Sequence, residues 1–170
     1  MPVDPKTIQG RRELTFSTFD DLIADAEKLV SSPHTRTLGN WPLSRLLAHL
    51  AMTMNGSIDG FSFKAPWYIR AILFWIKGRF VRNRLSPGIK LSKDSEAVAY
   101  PPVSSPQEAL EMLRSAVERT KTQRMSAPHP AFGALTHEQW VQLHLRHAEL
   151  HLSFAVPNDV SMKQAGSTPL

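Results

Sequence analysis

The sequence predicts an all-α protein, on three observations. Apolar residues recur at helical spacing in five segments, capping signatures precede several of them, and the alternation expected of strands is scarce. With no βαβ alternation in the chain, these helices have to bury their apolar stripes against one another.

The first helix is expected from Ser17 to about Ser31, with Ser17 as N-cap and Asp20 and Asp21 in the first turn, where the helix dipole favours negative charge. Leu22, Ala26 and Leu29, flanked by Phe19 and Ile23, form its stripe. A second helix follows Asn40 or Trp41 as cap, carries Pro42 in its first turn and runs to about Ser57. The third covers "WYIRAILFWIKGRFVRNRL", residues 67–85, and is apolar on most faces. A long connection broken by Pro87, Gly88, Pro101 and Pro102 comes next. Ser105-Pro106-Gln107-Glu108 then fits a capping box with proline in first position, opening a helix to about Thr122 that buries Ala109, Leu113, Ala116 and Val117. Thr136, with Gln139 three residues on, opens the last helix.

The 170 residues suit one domain, placed at 1–156, followed by a polar tail, 157–170, expected to be flexible. The absence of cysteine excludes thiolate catalysis, zinc-thiolate sites and disulfides, so histidine and carboxylate remain as metal ligands. The N-terminal "MPVDPKTIQGRREL" has charges and prolines where an export signal would be apolar, so a cytoplasmic location is expected.

The net charge of +5 is uneven: residues 61–93 hold eight Lys/Arg and no acid, which leaves −3 for the rest. Aromatic residues interleave with these cations, yet no nucleic-acid motif accompanies them, so no nucleic-acid partner is expected. Arg70, Lys77 and Arg84 recur every seven residues and share one face, which predicts a positive patch. For the helix itself, packing on the bundle is favoured first, dimerisation second and contact with a membrane surface last. Arg70 and Lys77 interrupt the apolar run before it is long enough to span a bilayer.

The chemistry concentrates in "LHLRHAELHLSF", residues 143–154. At about 100° per residue, His144, His147 and His151 fall within about 60° of one another, on an arc shared with Trp140 and Phe154. Imidazoles facing an apolar interior need hydrogen-bond partners or a metal. His147 and His151, four apart, can converge on one ion from successive turns. The glutamate of "HAELH" lies two residues after the first histidine, on about the opposite face, so Glu149 is no zincin-type base and is expected to pair with Arg146 or another helix. His49, in "LSRLLAHLAMTM" at the edge of the second helix's apolar arc, is the candidate third ligand. His144 keeps the combinations 144/147 and 144/151 open.

"TLGNWPLSRLLAHLAMTMNGSIDGF" (37–61) and "HPAFGALTHEQWVQLHLRHAELHLSF" (129–154) resemble an uncharacterised branch of the DinB-like superfamily of metalloenzymes. That resemblance, running from about Arg11 to Phe154, implies an up-down-down-up four-helix bundle, with the basic aromatic helix as an insertion between the second and third bundle helices. It also implies a divalent metal, zinc or nickel, on His49, His147 and His151. Some superfamily members transfer low-molecular-weight thiols, so the expected function is a metal-dependent thiol transferase or hydrolase acting on a small molecule. His144 is then the candidate general acid/base and His129 a residue of the loop before the site. The alternative is a non-catalytic binding protein, dimerising or membrane-surface, that uses helix 67–85.

Overall fold

The computed structural model describes residues 3–88 and 102–157. The expected tail, beyond Pro157, and the middle of the long connection, 89–101, lie outside them. The described residues form α1 (Phe19–Ser31), β1 (Arg36–Thr37), α2 (Leu43–Asp59), α3 (Trp67–Arg82), α4 (Pro106–Thr122), α5 (His137–Leu152) and β2 (Ala155–Val156). The protein is mainly helical, and its two short strands pair antiparallel, Arg36 opposite Val156.

Capping chemistry sets the helix starts. α1 begins one residue later than expected, because Thr18 rather than Ser17 completes a reciprocal box: its Oγ1 accepts from Asp21 N–H at 3.1 Å, and Asp21 accepts from Thr18 N–H at 2.9 Å. Thr136 and Gln139 form the same box at α5. Ser105 caps α4, but the Glu108 carboxylate reaches Ser104 N–H. At α2 neither Asn40 nor Trp41 is the cap. Pro42 holds that position without a side-chain bond, while Asn40 exchanges two 2.8 Å hydrogen bonds with the backbone of Val3. α2 outlasts the expected stop at Ser57 by two residues and ends at Gly60, whose φ of +97° suits glycine. Within it, Gly56 has to be small, since a Cβ there would lie 2.5 Å from the Phe61 ring. α3 stops at Arg82, before an extended Asn83, rather than at Leu85.

The main core gathers Leu22, Ala26 and Leu29 of α1, Leu47, Leu50 and Met54 of α2, Leu113 and Val117 of α4, and Leu145 and Leu152 of α5. Each of the larger side chains contributes roughly 1.5–3 kcal/mol by leaving water. A smaller cluster of Met125, Phe132, Leu135, Trp140 and Leu143 lies beneath the inner residues of α3, Leu73 and Phe80. α2 makes its most extensive packing against α4, and α3 packs on α5. Ion pairs fix the directions. Arg119, near the end of α4, binds Asp59 through both nitrogens at 2.7 and 2.8 Å and also Asn55, so the C-terminal turns of α2 and α4 lie together. Lys121 comes within 3.9 Å of Asp20 and brings the end of α4 to the start of α1. Arg12 clamps Asp25 with two 2.7 Å bonds and donates to Leu152 O and Ala155 O, which closes the C-terminus of α5.

Among the described residues no helix is long and apolar enough to cross a membrane.

Candidate metal centre

α2 and α5 carry the histidines, and two different local rules deliver them. On α5 the i,i+4 spacing stacks His147 and His151 on consecutive turns, with their Nε2 atoms 2.9 Å apart. On α2, burial of Leu46, Leu47 and Leu50 turns His49 inward, so that its Nε2 stands 3.3 Å from that of His147. One ligand nitrogen from each ring lies within 4.8 Å of the other two. The three residues expected to converge are thus brought together.

The two separations across His147 fall in the range a metal requires. Nitrogens held about 2.0–2.1 Å from a divalent ion, at angles between tetrahedral and square, stand about 2.9–3.4 Å apart. Hydrogen bonding alone satisfies the arrangement poorly. His147 Nε2 has one lone pair or one proton, so it makes a well-aligned bond with only one of the two Nε2 atoms that crowd it. An ion takes a lone pair from each ring and leaves no such conflict. All three donors are imidazole nitrogens, a set suited to zinc or nickel rather than to magnesium or calcium.

Electrostatics prepare the same lone pairs. Burial first, then the neighbouring histidines 151 and 49, hold His147 well below the ordinary imidazole range. Burial, His49 and the Arg11 guanidinium do the same to His151. Both rings are neutral at pH 7 and need not shed a proton to coordinate.

Trp41 and Arg11 complete the wall, and sequence reasoning assigned neither to the site. Trp41 was expected as a candidate cap of the second helix. It stacks on His151, with ring centroids 5.3 Å apart and planes 6° from parallel, and meets the edge of His49 at 5.5 Å. Arg11 donates from Nε and Nη2 to Ser153 Oγ, at 3.0 and 2.7 Å, and covers the Phe154 ring. Its one sequence signal, an arginine in a segment of mixed charge, is too common to single it out.

His144 is only 3% exposed, stacks on Trp140 at 5.1 Å, and has a buried Nε2 with no hydrogen-bond partner among the described residues. Burial and the nearby His129 push its pKa down to about 3. His129 holds a tight loop: its Nδ1 accepts from Ala131 N–H and Phe132 N–H, and its backbone pairs with Gly133. Burial lowers its pKa to about 4. Glu149 faces away, as its spacing requires. Its Oε1 accepts from Arg146 at 2.9 Å and from Phe16 N–H at 2.7 Å, tying α5 to the segment before α1.

A family model described as a protein of unknown function, DUF1569, matches residues 8–158. No curated protein and no solved structure matches the chain.

Proposed function

This chain belongs to the DUF1569 family, and we propose that it is a metal-dependent enzyme with its divalent ion, zinc or nickel, on His49, His147 and His151. The observation that carries this reading is the convergence of three Nε2 atoms from two helices, at 2.9 and 3.3 Å across His147. We further propose the DinB-like architecture, an up-down-down-up bundle of α1, α2, α4 and α5 with α3 inserted, as a single domain. The shared direction of α2 and α4, and the opposed α1 and α4, support it.

Held by His49, His147 and His151, a divalent ion would act as a Lewis acid and lower the pKa of a thiol or water that reached it. The chain's own residues do the rest. Three imidazole ligands would leave a bound ion its full positive charge, and the Arg11 guanidinium adds another near His151, so an anionic nucleophile is favoured over a neutral one. A low-molecular-weight thiol fits that requirement, and a protein with no cysteine has to take its sulfur from a small molecule. The proposed reaction is therefore thiol transfer to a small electrophile, or hydrolysis when water takes the thiol's place. His144 supplies the acid/base group. Burial keeps its ring uncharged at pH 7, with one nitrogen protonated and the other bearing a lone pair, and its buried, unpartnered Nε2 is the atom offered for proton exchange.

The test is elemental analysis of tag-free protein purified without chelator, followed by reloading with zinc or nickel. About one ion per chain, lost in the His49→Ala and His151→Ala variants, is the expected result. Protein that neither carries nor takes up a metal overturns the reading.

A further inference from the structure

We propose that the outward face of α3 seats the protein on an anionic lipid surface, a property separate from the metal reading. Trp67 and Trp75 are 78% and 85% exposed, and Tyr68, Ile72, Phe74 and Ile76 are exposed beside them. At about 100° per residue these six side chains cover an arc of roughly 200° on the outer half of the helix. Large apolar residues gathered in one solvent-facing patch mark an interaction surface.

The cations of the same helix are arranged unlike those of a solvated face. Arg70 and Lys77 turn toward the protein body, half-buried on the arc of Leu73 and Val81, and Lys77 Nζ donates to Ala134 O at 3.2 Å. The shared basic face expected from the seven-residue spacing is thus mostly an inner one. Lys64 before the helix, Arg79 in its last turn and Arg84 beyond it remain exposed and bracket the aromatic face at both ends. No acid occurs between residues 61 and 93. The result is an apolar strip flanked by positive charge, with one indole ring at its start and another near its middle, and a helix too short to span a membrane. Rings of that kind settle at headgroup depth, and exposed lysines and arginines beside them meet anionic lipid phosphates.

A second copy suits the face less well. A two-fold contact would set one acid-free strip against another, with like charges opposed. Nucleic acid suits it less well too. Ile72 and Ile76 offer nothing to a phosphate, and Arg70 and Lys77 are half-buried, with the Lys77 ammonium engaged by Ala134 O and the Phe74 ring.

The experiment is co-sedimentation of the full chain with vesicles of phosphatidylcholine alone and of phosphatidylcholine mixed with phosphatidylserine. Binding to the mixed vesicles only, weakened by salt, is expected. Trp67→Ser with Trp75→Ser should reduce it by about tenfold or more, with the circular dichroism spectrum unchanged. Lys64→Gln with Arg79→Gln, both at exposed positions, should weaken it about fivefold per charge removed. No sedimentation, or equal sedimentation of all variants, overturns the proposal. A dimer that the tryptophan substitutions dissolve, or a single-stranded oligonucleotide that displaces the protein from vesicles, would assign the face to another occupant and overturn it equally.

Discussion

Trp41 lies flat against His151, 6° from parallel, while presenting its ring to the edge of His49. One indole, placed just before α2 begins, thereby fixes two imidazoles that belong to different helices. Groups that hold metal ligands in orientation are worth roughly 10–100-fold in affinity. Trp41→Ala is expected to weaken zinc or nickel binding by that order while leaving about one ion per chain at saturation. Competition against a chromophoric chelator measures it, and an unchanged affinity would remove Trp41 from the site.

The three proposed ligands should behave alike, and unlike His144. His49→Ala, His147→Ala and His151→Ala are each expected to abolish tight metal binding. His144→Ala should weaken it only modestly, because its ring stacks on Trp140 rather than joining the Nε2 cluster. Isothermal titration of the four variants decides the assignment. A His144 variant that loses the metal while the His151 variant keeps it would show that the ligand pair is misassigned.

His129 predicts an acid limit to stability. Its pKa is about 4 folded against 6.5 unfolded, so as pH falls below 6.5 the unfolded chain binds a proton that the folded chain refuses. Stability is complete above pH 6.5 and is lost as pH falls toward 4, by at most about 3 kcal/mol from this group. His129→Asn keeps an acceptor for the loop N–H groups and should flatten the dependence between pH 6.5 and 4. Urea titrations across that range test it. Equal slopes for the two proteins would mean that His129 protonates freely when folded.

Glu149 is buried with its charge balanced by Arg146 and by Phe16 N–H. Removing one partner of a buried pair costs about 3–5 kcal/mol. Glu149→Ala should lower the unfolding midpoint accordingly, yet the folded fraction should keep its metal stoichiometry, since the carboxylate faces away from the histidines. Differential scanning calorimetry and metal analysis of one preparation separate the two effects.

What could be read from the chain followed the range of the interaction. Thr136 with Gln139 and Ser105 with Glu108 are local pairs, and both helix starts fall where they direct. Ser17 was off by one because Ser17 and Thr18 both qualify as caps, and only the reciprocal bond to Asp21 selects between them. His147 and His151 share a helix face by turn geometry alone. Trp41 and Arg11 meet His151 only after distant segments pack, so no spacing could reveal them. The exposure of Trp67 and Trp75 was equally hidden. A helix apolar on most faces gives no internal sign of which face stays wet, and packing, the use favoured for it, accounts only for the arc of Leu73, Phe80 and Val81.

The start and finish of the described chain meet on one side of the protein. Arg12 N–H donates to Ser153 O at 2.9 Å, Leu38 N–H to Phe154 O at 2.8 Å, and Val3 is pinned to Asn40 next to the Arg36–Val156 pairing. The order in which the helices are strung is therefore separable from how they pack. A circular permutant, with Pro157 joined to Val3 by a short flexible linker and new ends opened between α3 and α4, would place His147 and His151 ahead of His49. The same three nitrogens would still converge.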